Sequence, residues 1–303
     1  MLVPTFPTFK RLELSDKELF YSFTEQFPPF SDFNFVSIFT YDTGETEFSI
    51  LNNNLVIKMP DYITSQPFYS FLGKEKTKET IETILKHLRE SSQSAVIKLL
   101  PESSISEYKL LFEAKYLLKK DRDSFDYILS VQQMTDLVGS VFHDQRNLIK
   151  QMPKEYPNHQ IKSLDLCNEK VKAQILDLCQ TWAERKQKSN EEAEREMRAV
   201  SKLLEHANDL PVKAIGIYDF DHLCAFFIYE AIDKRYLLGH YRKANTLYPG
   251  IFTYIDHVLA KMMVSEGFEY LNFEQDMGIE SLREAKEAWQ PVFFLRKYTL
   301  AEK

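Results

Sequence analysis

The chain has 303 residues, 44% hydrophobic, 27% charged and 14% aromatic, the composition of a globular protein with enough apolar surface for one large domain or two ordinary ones. A net charge of -7 excludes a generally basic nucleic-acid-binding surface, and only 8 glycines speak against the Gly-rich phosphate loops of dinucleotide and P-loop folds. The 3 cysteines (Cys167, Cys179 and Cys224) form no CxxC and read as reduced thiols of a cytoplasmic protein, and no run approaches the ~18 apolar residues of a bilayer span.

In chain order, Ser15–Phe27 reads as a helix stopped by Pro28-Pro29. Asn34–Tyr41, Glu47–Leu51 and Leu55–Met59 read as strands separated by turn residues, with Pro67–Leu72 as a further short strand. Thr77–Arg89 is an amphipathic helix with Ile81, Ile84, Leu85 and Leu88 on one face. Ala95–Leu99 is a strand, Ser104–Phe112 a helix and Ser124–Leu129 a strand. A helix follows Gly139 and runs to Met152, then a strand over Ile161–Leu166. Val171–Lys186 and Asn190–His206 are helices. Val212–Tyr218, Cys224–Ala231 and Tyr236–Tyr241 are strands. A long helix opens at Pro249-Gly250, followed by a strand over Glu269–Phe273, a helix over Gly278–Trp289 and a last strand over Val292–Tyr298.

Leaving Pro67–Leu72 aside, residues 34–130 and 212–298 share one order: strand, strand, strand, helix, strand, helix, strand. This reads as an internal duplication of a mixed α/β sheet module, with an N-terminal module over 1–130 and a C-terminal module over 131–303.

The C-terminal third carries the densest pattern of chemistry. On the helix after Asp276, Ile279, Leu282, Ala285 and Trp289 form an apolar stripe at about 100° per residue. Lys286 falls within that face and Arg283 just beyond its edge. A lysine there snorkels, pairs with Asp276 or Glu274, or lines a basic site for a carboxyl or phosphate group. Strand alternation would project Asn272, Glu274 and Asp276 together at the C-terminal end of a strand, where open α/β sheets place ligands. Two acids beside two bases can handle protons or form a structural charge network. His240, Arg242 and Lys243 end a strand, as a base and two anion contacts or as structural and solvated residues. His143, Arg146 and Lys150 make a small basic stripe, open to RNA phosphate or simply solvated. No HExxH, CxxC or GxSxG occurs, so no metal ligands are assigned.

Three blocks carry a family resemblance. Asn272, Asp276-Met277-Gly278, Leu282-Arg283-x-x-Lys286, Pro291 and Lys297 form the closing motif. Gly139, Phe142, His143, Arg146 and Asn147 form the second. The early SDFNFVSIFTYD forms the third. Together they resemble the C-terminal domain of the phosphatidylglycerol lysyltransferases and its soluble relatives, across roughly residues 30 to 300. One departure is that Ser140-Val141 follow Gly139, where the family commonly has a basic residue.

The resemblance implies two tandem acyltransferase-like (GNAT) modules, and transfer of an aminoacyl group from tRNA to a lipid or small-molecule acceptor. It implies proton handling by Asp276 and Glu274, with Arg283, Lys286 and Lys297 binding phosphate or carbonyl. The substrate-binding set is then Asn272, His240, Arg242, Lys243, Lys297, Arg146 and Asn147, with Asp276, Glu274, Lys286 and Arg283 at the chemistry. Aminoacyl-tRNA enters as a donor substrate and no cofactor is expected. A CoA-dependent N-acyltransferase is a second reading. YRKANTLYPGIFTYIDHV disfavours it, because it has one glycine, preceded by a proline without an N–H for a pyrophosphate. A non-catalytic ligand-binding module is a third.

Overall fold

The computed structural model describes residues 4–61, 66–186 and 189–303. The chain divides into two compact units, one of Met1–Asp126, Gln275–Glu280 and Phe294–Lys303, the other of Tyr127–Glu274 and Ser281–Phe293.

The first part of the chain supplies strands β1 (Lys10–Arg11), β2 (Glu47–Leu51), β3 (Asn54–Pro60), β4 (Pro67–Leu72), β5 (Val96–Pro101) and β6 (Tyr116–Lys120). Its helices are α1 (Lys17–Thr24), α2 (Phe35–Tyr41), α3 (Thr77–Glu90), α4 (Glu102–Ile105) and α5 (Lys109–Lys115). Then come β7 (Asp126–Ser130), α6 (Val131–Asp136), α7 (His143–Glu155), β8 (Gln160–Ser163), α8 (Glu169–Arg185) and α9 (Asn190–Glu205). The last third holds β9 (Val212–Asp219), β10 (His222–Ala231), β11 (Tyr236–Ala244), α10 (Ile251–Ser265), β12 (Tyr270–Asn272), α11 (Glu280–Glu287), β13 (Phe293–Leu295) and β14 (Lys297–Glu302).

These strands form two mixed sheets, ordered β1-β2-β3-β4-β5-β14-β6 and β13-β7-β12-β11-β10-β9-β8. Read from opposite ends the two orders correspond strand for strand. The central parallel pair is β4 with β5 in one sheet and β11 with β12 in the other. The expected duplication is therefore present, but with two changes of membership.

First, Asn34–Tyr41 is not a strand. Its alternating pattern gives way to a helix because the Asn34 side chain caps α2, accepting a 2.9 Å hydrogen bond from the Ser37 amide. Pro67–Leu72 supplies the third strand of that module instead. Second, the single strand expected over Val292–Tyr298 is two strands in different sheets. The sheets exchange their penultimate members: β7 lies beside β12, while β14 lies between β5 and β6. Tyr116–Lys120 is the edge strand beside β14.

The first sheet is covered by α3, whose Ile81, Ile84, Leu85 and Leu88 are buried against Val56, Phe71, Ile97 and Leu300. Lys297 at the start of β14 is fully buried in the same unit. Its ammonium meets Asp32 in a very short contact, Asp126 at 2.8 Å, Gln275 Oε1 at 3.2 Å and Ser31 Oγ at 3.3 Å. Ser31 ties back to Asp126 through its amide at 2.9 Å and its hydroxyl at 2.6 Å. Burial pushes the Asp32 carboxyl up, against the pull of Lys297. Burial alone would lower the Lys297 ammonium, but the Asp126 and Asp32 charges outweigh it and hold it above its ordinary 10.5.

Replacing Lys297 by Met leaves two carboxylates buried without their cation. We expect the Lys297→Met variant to lose about 3–5 kcal/mol of stability in urea unfolding followed by circular dichroism. A loss below about 1 kcal/mol would show that the cluster is dispensable. Because the Lys297 value is raised on folding, its contribution is complete below pH 10.5 and disappears as pH climbs through the folded value. The gap between wild type and variant should therefore narrow as pH climbs beyond about 10.5.

Candidate active site

The second unit holds a cluster built where a parallel pair diverges. β11 pairs with β12 only over Tyr236–Leu238 against Tyr270–Asn272, and β11 then continues alone on that side to Ala244. A register shift at Ile228/Tyr229 passes over His240, a bulge that re-aims the strand just before Arg242. β12 stops at Asn272 because the Asn272 side-chain oxygen accepts from the Glu274 amide at 2.8 Å, and Glu274 adopts a left-handed φ of 55°. The alternation expected to carry Asn272, Glu274 and Asp276 on one strand face thus ends at its first member.

Arg242 leaves the stretch of β11 that runs on past β12 and forms a very short contact with Asp256 on α10. Its guanidinium stacks over Phe273, 4.7 Å from the ring centroid, and over Phe252 at 5.2 Å. Asp256 is buried and also accepts from the Trp289 indole N–H at 3.2 Å. Its Oδ1 is buried with no hydrogen-bond partner among the described residues. Burial pushes the Asp256 carboxyl up, and the Arg242 and Lys286 charges offset part of that. Lys286 reaches the Phe273 carbonyl in a very short contact, with its ammonium 5.1 Å from the Phe273 ring and 5.9 Å from that of Tyr127. Arg242, paired with Asp256, and Lys286 therefore converge on Phe273. Such a setting accommodates an anionic or carbonyl group, and partial burial strengthens the interaction.

Arg242 and Lys286 are thus brought together; other expected residues go elsewhere. Lys243 points to the opposite face of β11, pairing with Glu196 and lying 4.0 Å over the Trp182 ring. His240 is buried against Glu230 at 3.2 Å. Arg146 donates to the carbonyls of Leu137 at 2.6 Å and Gly139 at 2.7 Å, closing the turn before α7, and Asn147 contacts His143 at 3.0 Å. Arg283 is half-buried beside α11's exposed face. Asp276 and Lys297 belong to the first unit, whereas Glu274, Arg283 and Lys286 belong to the second. Asp276 is fully buried; it accepts from Arg122 at 3.1 Å and from the Gly278 amide at 2.8 Å, which fixes the turn leading to α11. On the expected apolar stripe only Trp289 is buried, while Ile279 and Leu282 are each 37% exposed.

Asp256 and Phe273 were missed by the sequence reading. The signal for Asp256 was available: it is a lone acid on the core-facing phase of IFTYIDHVLAKMMV, sharing that phase with Phe252, Leu259 and Met263. Phe273 carries no comparable mark.

The phosphatidylglycerol lysyltransferase C-terminal family matches this chain over residues 33–301. The chain belongs to that family. A conserved protein of unknown function from Bacteroides thetaiotaomicron is 23% identical, with each chain covered over 100% of its length and a TM-score of 0.84. The C-terminal domain of a putative lysylphosphatidylglycerol synthetase from Agrobacterium fabrum is 10% identical, covering 95% of this chain and 92% of that one at a TM-score of 0.67. A tandem GNAT protein from the clavulanic acid biosynthesis pathway is 8% identical, covering 97% and 98% at 0.52. No curated protein matches in sequence. The fold of this lysyltransferase-family chain is accordingly two tandem GNAT-like α/β modules. Among the described residues no helix is long and apolar enough to cross a membrane.

In this family member, Asp256→Ala should strand Arg242 beside two aromatic rings and cost about 3–5 kcal/mol. Trp289→Phe removes one hydrogen bond to that carboxylate and should cost about 1.5–3 kcal/mol, less than loss of the carboxylate itself. Urea unfolding of both variants by circular dichroism checks the ranking, and equal costs would refute the assignment of Asp256 as the hub.

Proposed function

We propose that the protein is an aminoacyl-transferring enzyme that moves an aminoacyl group from tRNA to a lipid or small-molecule hydroxyl or amine, with the chemistry in the second unit. The observation that carries this reading is the convergence of Arg242 and Lys286 on Phe273, where β11 diverges from β12. The donor is an ester. The acceptor's lone pair attacks the ester carbonyl, its proton passes to a base, and the tRNA hydroxyl leaves with a proton. Arg242 and Lys286 are proposed to stabilise the charge that gathers on the carbonyl oxygen or on a neighbouring phosphate. Glu274, half-buried on the turn after Asn272, is the proposed proton acceptor. Asp276 is the proposed positioning residue for the turn that follows. Membership of a phosphatidylglycerol lysyltransferase family supports an acyl-transfer role and a lipid acceptor. A charged-tRNA donor implies a cytoplasmic reaction.

A CoA-dependent reaction is the second reading, supported by the likeness to a tandem GNAT protein. Against it, the start of α10 is packed. Gly250 has a φ of 70°, and a Cβ built there would lie 2.3 Å from the Leu148 carbonyl oxygen of α7. A helix N-terminus closed by a neighbouring backbone is a poor receptor for a pyrophosphate.

Equilibrium binding at low salt with charged tRNA, uncharged tRNA and acetyl-CoA as parallel ligands separates these readings. Preference for charged tRNA is the expected result; binding of acetyl-CoA alone would overturn it. In a transfer assay, Arg242→Ala should lower kcat/KM by about 100-fold or more, whereas Lys243→Ala, on the other face of β11, should change it less than about 3-fold. Equal losses in the two variants would remove Arg242 from the proposed site.

A further inference from the structure

α10 has two working faces. Phe252, Asp256, Leu259 and Met263 recur on one side, toward the cluster around Phe273. Tyr254, His257, Val258, Lys261 and Met262 recur on the opposite side, and there they line a cavity of about 500 Å³ together with Ile149, Lys150 and Pro153 of α7 and Ile161 of β8. A space of that size holds a small organic molecule.

The lining divides cleanly by chemistry. Ile149, Pro153, Ile161, Val258 and Met262 give it apolar walls. Lys150 comes from one wall and Lys261 from the other. Neither ammonium has an ion-pair or hydrogen-bond partner among the described residues, and no carboxylate lines the space. That is unusual in a chain where 45 acids outnumber 38 lysines and arginines. His257 is already oriented, its Nδ1 bonded to the Met134 carbonyl at 2.9 Å, which leaves Nε2 uncommitted. Tyr254 is held by His159 through a 2.7 Å bond between its hydroxyl and Nε2, so the wall it forms is fixed. No arginine fork and no helix N-terminus lines the cavity, the groups that recognise a phosphate dianion by geometry. Two separated lysine point charges over apolar walls suit a single negative charge on a hydrocarbon body.

We propose that this cavity between α7, β8 and α10 is a second ligand site, separate from the cluster around Phe273, and that it binds an amphiphilic carboxylate: an aliphatic chain ending in one carboxylate, with the chain on the apolar walls and the carboxylate between Lys150 and Lys261.

His257 provides the reporter. The groups facing it are Lys261 on its own helix, Lys150 across the cavity on α7 and the Met134 carbonyl on α6; β8 contributes only Ile161 there. Burial, with Lys261 beside it, holds the His257 imidazole below its ordinary range. A carboxylate placed between the lysines favours the imidazolium and moves that titration upward.

The test titrates the 303-residue protein with decanoate, decanol and inorganic phosphate, following the His257 ring resonances by NMR, assigned with His257→Gln. Saturable one-to-one binding of decanoate with an upward shift of the His257 titration, at least 10-fold tighter than either other probe, is the expected result. Equal binding of decanol would reduce the cavity to an apolar pocket and overturn the proposal. Equal binding of phosphate would reduce it to an anion site and do the same, as would binding of none. The double variant Lys150→Gln/Lys261→Gln alters two exposed side chains and should fold normally. It should weaken decanoate by 10-fold or more while leaving decanol unchanged; an unaltered decanoate affinity would sink the assignment.

Discussion

A lysine ammonium without solvent contact must be neutralised where it stands, because an uncompensated buried charge is among the most costly features a fold can carry. Lys297 meets that demand with Asp32 and Asp126, and Ser31 and Gln275 complete its coordination. These groups come from widely separated parts of the sequence. Each arrives only if its own segment is correctly placed: the turn before α2, the start of β7, the turn after β12 and the first residue of β14. The charge cluster therefore acts as a check on the assembly of the first unit. A hydrophobic substitute of similar volume would fill the space but would not demand the same partners.

Much of this architecture was legible in the sequence because it rests on local periodicity. α3 and α10 announce themselves by apolar spacing, and the β9–β10–β11 meander by runs of apolar residues between turns. What failed did so for identifiable reasons. Phe35–Tyr41 has residues suited to either a strand or a helix, and a single hydrogen bond from the Ser37 amide to Asn34 decides it. Asn272 looked like a strand member whose alternation would continue, yet its side chain ends the strand by capturing the Glu274 amide. The split between β13 and β14 has no local sign at all, since both halves read as one apolar run. Sheet membership is a tertiary property.

The candidate site shows the same division. Lys286 on an otherwise apolar helical stripe, and Arg242 at the end of a strand, could be singled out by pattern. That they meet around one phenylalanine could not, because the junction depends on where β12 stops and how the bulge at His240 turns β11. Arg242 and Lys243 are neighbours in sequence with equal charge, and strand pleating sends them to environments with nothing in common. Asp256 is the counterpart: a buried acid whose place in an apolar helix marks it, but whose role as a hub between Arg242 and Trp289 appears only in three dimensions.

The exchange of β7 and β14 between the sheets also bears on how the protein comes into being. β14 lies inside the first sheet, flanked on both sides, while β6, at the sheet edge, pairs with β14 alone among the described residues. During synthesis the other strands of that sheet emerge long before residues 297–302 are made. The nascent chain must hold β5 with an open edge while the whole second module is translated. Unpaired edges of that kind recruit other strands, so the interval favours shielding by a chaperone. No single cut in the backbone would release either sheet complete.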